Sequence, residues 1–209
     1  MTSLFQLPVQ VETETLTSPD VTIYTPKLSG LANAAAQKKL NAAFSDLTSS
    51  LVYEQKKYQT GTLREMTGHY EVKTNERGLL SLIATNYAYS APMAHGYTVA
   101  ESLTCDVNSG SFFTLSQLFK PGCGYVELLS QHVRVQLQRR KLPLLHPPFK
   151  SVWPDQNFYL ADKALVLYFD LLEITPYYVG FPMFPVSVYD LLPIAAEGGP
   201  LDILEVDVT

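Results

Sequence analysis

The sequence predicts an α+β protein: an antiparallel β-meander with a long packed helix, followed by a second helix and further antiparallel strands. Two observations carry this reading. Leu40, Phe44, Leu47 and Leu51 recur at the three- and four-residue steps of a helix, amid Ala, Gln and Lys of good helix propensity. Between Leu63 and Val107 the residues turn β-branched and aromatic, and turn signals divide them into three segments.

Taken in order, Val9 and Val11 alternate with Gln10 and Glu12, Ser18-Pro19-Asp20 supplies turn chemistry, and Val21-Thr22-Ile23-Tyr24 completes a hairpin. The long helix spans about Ala32 to Lys57. The meander follows as Thr62–Lys73, Leu79–Ser90 and Tyr97–Val107, broken by Asn75-Glu76-Arg77-Gly78 and closed by Asn108-Ser109-Gly110. Both faces of the middle segment read as at least partly covered.

Thr114 to Phe119 forms a short helical turn stopped by Pro121-Gly122, and Tyr125 to Arg140 a second long helix. The Pro-rich stretch Leu142–Pro148 cannot continue that helix and is a connection. Asn157–Leu160 and Ala164–Phe169 flank the turn Ala161-Asp162-Lys163 as a second hairpin. Leu171 to Gly180 has no clean period and reads as an aromatic-rich loop. Phe184–Tyr189 is a closing strand, and the acidic residues after Glu197 form a poorly ordered tail.

The expected organisation is an N-terminal half, 1–112, and a C-terminal half, 113–195, packed as one unit, with 196–209 as the tail. The expected core contains Leu40, Phe44, Leu47, Leu51, Leu128, Leu129, Val166 and Tyr168. No internal repeat is evident.

In 209 residues, 46% are apolar and 17% charged, the balance of a folded globular chain. The net charge of −5 leaves no broad cationic field for a phosphate backbone, so nucleic acid is not an expected partner. The apolar runs are far shorter than the ~20 residues of a membrane-spanning helix. Residues 1–8 carry no basic leader or apolar stretch of a signal peptide. Cys105 shares one side of an alternating run with Leu103 and Val107, so two free thiols are expected, with a Cys105–Cys123 bridge as the alternative.

The segment Ala94-His95-Gly96-Tyr97, with Asp106, Gly110, Thr114-Leu115 and Leu118-Phe119 after it, resembles a signature of a bacterial family of extracytoplasmic modules. The run Asn157–Leu160, Leu165–Phe169, Glu173-Ile174-Thr175-Pro176-Tyr177 and Gly180 resembles the C-terminal half of the same modules. They occur in RsiV-type anti-sigma-V lysozyme receptors and beside the catalytic domain of PdaC-type peptidoglycan deacetylases. Met93, Gly96 and Lys163-Ala164 depart from the pattern. The resemblance implies an α+β fold and a non-catalytic binding module of the bacterial cell envelope, a domain of largely unknown function. Its partner would be a lysozyme-like protein or peptidoglycan glycan. It also implies an extracytoplasmic location, whereas the chain as given, without a leader, reads as cytoplasmic.

The candidate binding residues are Pro176, Tyr177 and Tyr178, together with His95 and Tyr97. Tyrosine joins an apolar face to a polar tip and serves both protein interfaces and carbohydrate platforms. A loop that follows a buried strand presents such rings at low entropic cost. His95 either hydrogen-bonds a neighbouring carbonyl and fixes its turn or contacts a ligand. The histidines His69, His95, His132 and His146 lack metal-site spacing, so neither metal nor cofactor is expected. A glycan-acting enzyme using carboxylates from Glu71, Glu101, Asp106, Asp170 and Glu173 is the alternative reading, and a cytoplasmic structural protein a third.

Overall fold

The computed structural model describes residues 8–206. The first seven residues, read above for a leader, and the last three of the acidic stretch lie outside them. The chain divides into two compact units, Met1–Phe112 and Phe113–Thr209.

The first unit is a six-stranded sheet in chain order with one long helix. Strands β1 (Gln10–Ser18) and β2 (Val21–Ser29) form the expected hairpin, with Asp20 at φ 62° in the turn. Helix α1 (Ala34–Gln55) starts where the Asn33 side chain accepts the Ala36 N–H at 3.1 Å, a standard N-terminal cap. Strands β3 (Thr62–Glu76), β4 (Leu79–Ala91) and β5 (Tyr97–Asp106) are the meander, and β6 (Ser111–Phe112) adds a short ladder. Arg77 and Gly78 both take positive φ, at 49° and 81°, so β3 runs on through Asn75 and Glu76 and the turn has two residues.

One joint of this sheet is not antiparallel. Val21–Ile23 pairs in parallel with Met66–Gly68. A parallel neighbour requires a crossover, and α1 is that crossover, laid back on the sheet. Its apolar stripe Leu40, Phe44, Leu47 and Leu51 packs with Leu28, Leu80, Leu82 and Cys105 in the buried core.

The second unit holds a three-stranded antiparallel sheet, β7 (Phe158–Ala161), β8 (Ala164–Tyr168) and β9 (Met183–Ser187). A 3-10 turn, Leu115–Leu118, precedes helix α2 (Tyr125–Arg140), which spans the expected residues. Gln136 and Arg140 of α2 donate to the carbonyls of Pro185 and Met183 on β9, at 2.8 and 2.7 Å. Leu129, Val166 and Tyr168 are buried, but Leu128 is only half-buried because the buried face of α2 runs through Leu129, Val133 and Leu137.

The closing strand stops at Ser187; Val188 and Tyr189, expected in it, begin the short helix α3 (Val188–Leu191). The acidic stretch expected as a poorly ordered tail carries helix α4 (Pro200–Glu205), with Leu201 and Leu204 fully buried. Its composition looked solvated, yet two leucines at helical spacing give it a face to bury.

Candidate functional site

Strand β8 is apolar throughout and buried from Leu165 onward, which fixes the base of the loop that follows. Phe169, 1% exposed, makes edge-to-face contacts with Phe149 and Phe184, both at 5.7 Å between ring centroids. Its N–H donates to the Pro182 carbonyl at 3.3 Å, continuing the β8–β9 ladder by one step. Residues 170–181 therefore leave and return at one point, as in a compact surface loop closed at its neck.

Inside the loop the backbone is held at several places. The Asp170 N–H donates to Glu173 Oε2 at 2.8 Å, while the Glu173 N–H donates to the Asp170 carbonyl at 3.1 Å. Leu172 sits between them at φ 66°, a left-handed conformation uncommon for a leucine, with 49% of its surface exposed. The Leu145 N–H donates to the Ile174 carbonyl at 3.0 Å and ties the loop to the connection after α2. Leu171 and Thr175 point inward and are buried. Partial burial pushes the Glu173 carboxyl above its ordinary pKa; the Asp170 carboxylate adds to the rise and the Asp170 N–H opposes it.

Pro176 leads into a single 3-10 turn, Tyr177–Val179, closed by Val179 N–H to the Pro176 carbonyl at 3.0 Å. Gly180 at φ 77° ends it. Pro176 and Tyr177 are half-buried, whereas Tyr178 is 78% exposed. The sequence treats the two tyrosines alike; the turn separates them.

His95 and Tyr97 belong to the first unit and so form a separate group from Pro176–Tyr178. His95 lies in the β4–β5 turn, where its Nδ1–H donates to the Gly96 carbonyl at 2.9 Å. A carbonyl can only accept, so this contact places the proton on Nδ1. Gly96 is buried beneath the Tyr87 ring, and a Cβ there would overlap it. Tyr97 stacks on Tyr58 at 4.0 Å between centroids, and its carbonyl accepts from Gln55 Nε2 at 2.8 Å. It seats the end of α1 on the sheet.

The candidate carboxylates are engaged in local structure. Glu71 pairs with Lys73, Glu101 accepts from Ser50, and Asp106 accepts from the Asn108 N–H and the Ser109 hydroxyl. These three lie in the first unit and Asp170 and Glu173 in the second. Among the described residues no three or more His, Cys, Asp or Glu side chains converge as a metal site would require. His132 is half-buried and lines a cleft of about 480 Å3 between α2 and β9, with Arg139, Ser187 and Asp190. Both cysteines are free thiols, Cys105 buried and Cys123 half-exposed.

Comparison with known proteins agrees with the resemblance read from the residues. Residues 116–189 match the family DUF3298, described as a protein of unknown function. Over 183 residues, 79% of this chain, the sequence is 29% identical to the anti-sigma-V factor RsiV of Bacillus subtilis (strain 168). The matched region spans 62% of that relative's length. A crystal structure of a DUF3298 family member from Bacteroides fragilis has a TM-score of 0.70 at 14% identity, covering 94% of this chain and 97% of that one. Another from Pseudomonas aeruginosa has a TM-score of 0.66 at 17% identity, covering 93% and 96%. At these identities the likeness is one of fold. Among the described residues no helix is long and apolar enough to cross a membrane.

Proposed function

We propose that this chain is a non-catalytic binding module of the bacterial cell envelope that recognises a lysozyme-like protein through the loop 170–181. The observation that carries the reading is Tyr178, 78% exposed on a loop whose neck is closed and whose neighbours Leu171 and Thr175 are buried. An aromatic held this way loses little conformational freedom on binding. Similarity to an anti-sigma factor supports an envelope role and a protein partner over an enzyme. Pro176 sets the entry of the turn and Tyr177 backs it, so both act through Tyr178.

Calorimetric titration of wild type, Tyr178→Ala and Pro176→Ala against lysozyme and against soluble peptidoglycan fragments tests the proposal. The expected outcome is binding of lysozyme, weakened by about 1–2 kcal/mol in each variant, with melting curves nearly unchanged. Binding of peptidoglycan alone replaces the ligand. Binding of neither removes the proposal, and variants that lose stability in place of affinity return these residues to packing. His95→Ala and Tyr97→Phe belong in the same series; unchanged affinity there assigns both residues to their turn and helix seat.

A further inference from the structure

The two sheets treat their outer strands in opposite ways. On β9, Leu167 and Leu165 pair with Phe184 and Val186, so Met183, Pro185 and Ser187 turn their backbone groups away from the sheet. Pro185 has no N–H to offer, and Arg140 and Gln136 occupy the carbonyls of Met183 and Pro185. That edge is closed by chemistry that prevents further pairing.

Strand β1 has no such closure along its second half. The Met66 N–H donates to the Asp20 carbonyl at 2.7 Å, so even-numbered residues at the start of β2 face β3 and odd-numbered ones face β1. In the β1–β2 register Leu16 and Glu14 then bond to Ile23 and Thr25, and Thr13, Thr15 and Thr17 turn their N–H and C=O groups outward. Asn75 closes this edge only at Val9, where its amide takes both the N–H (2.9 Å) and the C=O (2.8 Å). Tyr70 meets Thr13 at the side-chain hydroxyl, 2.6 Å away. No described side chain bonds to the outward backbone groups of Thr13, Thr15 or Thr17.

Beside this open run lies a cavity of about 620 Å3 between the hairpin and α1. Glu14 and Leu16 of β1, Ile23 of β2, and Ser45, Ser49 and Val52 of α1 line it. Ile23 is buried and Leu16 is 66% exposed, giving an apolar floor with an open mouth. Glu14 is the single charged residue of the lining; Lys27 bonds to its Oε1, leaving Oε2 available.

We propose that β1 is a docking strand: an extended basic segment of a protein partner pairs alongside Thr13–Thr17 and places a lysine or arginine side chain in the cavity between β1 and α1. Main-chain bonds to an open edge supply affinity, and a pocket for alternate side chains supplies selectivity. The aliphatic stem covers Leu16 and Ile23 while the cation reaches Glu14. A second copy of this chain fits less well. In the register that sets the open run on itself, centred on Thr15, Glu14 faces Leu16 of the copy, and each chain carries −5. This surface is in the first unit and stands independently of the loop around Tyr178.

The test uses the whole chain and a capped peptide of about six residues alternating valine with lysine, against its valine–glutamate counterpart. At saturating lysine peptide, amide exchange at Thr13, Thr15 and Thr17 slows roughly tenfold or more. Thr15→Pro removes one outward donor while keeping the β2 ladder, and abolishes the effect; Thr15→Val retains it. Glu14→Gln keeps the fold and weakens the peptide several-fold. Failure of the lysine peptide to slow these amides, or equal action of the glutamate peptide, overturns the proposal. So does slow exchange at all three amides in a free chain that sediments as a dimer, which would make the occupant a second copy.

Discussion

Lys163 Nζ donates to the Leu204 carbonyl at 2.6 Å and to the Val206 carbonyl at 3.0 Å. A lysine in the two-residue turn between β7 and β8 therefore caps the C-terminal end of α4, 41 residues later. A cation there satisfies carbonyls left over at a helix end and meets the negative end of its dipole.

Replacing Lys163 with Met keeps the stem and removes the charge. The expected loss is about 1–2 kcal/mol in a denaturant melt, with faster amide exchange confined to 200–205. Unchanged exchange there would mean that burial of Leu201 and Leu204 holds α4 unaided.

Phe44 has no exposed surface and lies at the centre of the α1 stripe. Phe44→Ala leaves a cavity against Leu28, Leu80 and Leu82 and should cost about 3–5 kcal/mol. A melt within error of wild type would contradict that packing.

The cysteines should separate by reactivity. Burial, aided by the neighbouring Asp106 carboxylate, pushes the Cys105 thiol up to about 12, so almost no thiolate forms near pH 8. A disulfide reagent applied to the native chain is expected to modify Cys123 alone, and both thiols after denaturation. Rapid modification of Cys105 in the native chain would refute its burial.

Glu173 predicts a pH effect of definite sign. Its carboxyl titrates above the ordinary glutamate value in the folded chain, so over that interval the folded state holds a proton that the unfolded state has released. Stability therefore declines as pH rises from the ordinary carboxylate range through the raised value, and Glu173→Gln removes that decline. An NMR titration of the Glu173 side chain with a midpoint at or below the ordinary value would reverse the prediction.

What the amino-acid order determined by itself was local. The spacing of Leu40, Phe44, Leu47 and Leu51 determines a helix with one apolar face, and the segments Asn75-Glu76-Arg77-Gly78 and Ala161-Asp162-Lys163 mark turns, which the structure narrows to the two residues Arg77-Gly78 and Asp162-Lys163. Each depends on dihedral preferences and a period confined to a few neighbours. Tertiary structure decided the rest. The parallel joint of Val21 with Met66 depends on where a 22-residue helix sets the chain down, and no local pattern encodes that landing point. The acidic end is a helix that buries Leu201 and Leu204 and meets Lys163 at its last carbonyls, a partner 41 residues away in the chain. Of the candidate site residues, composition marked the aromatic loop, but only the 3-10 turn, with Thr175 drawn inside, sent Tyr178 out and kept Tyr177 half-covered. Burial and pairing between residues far apart in the chain are cooperative properties of the folded whole, and a sequence pattern read a few residues at a time does not contain them.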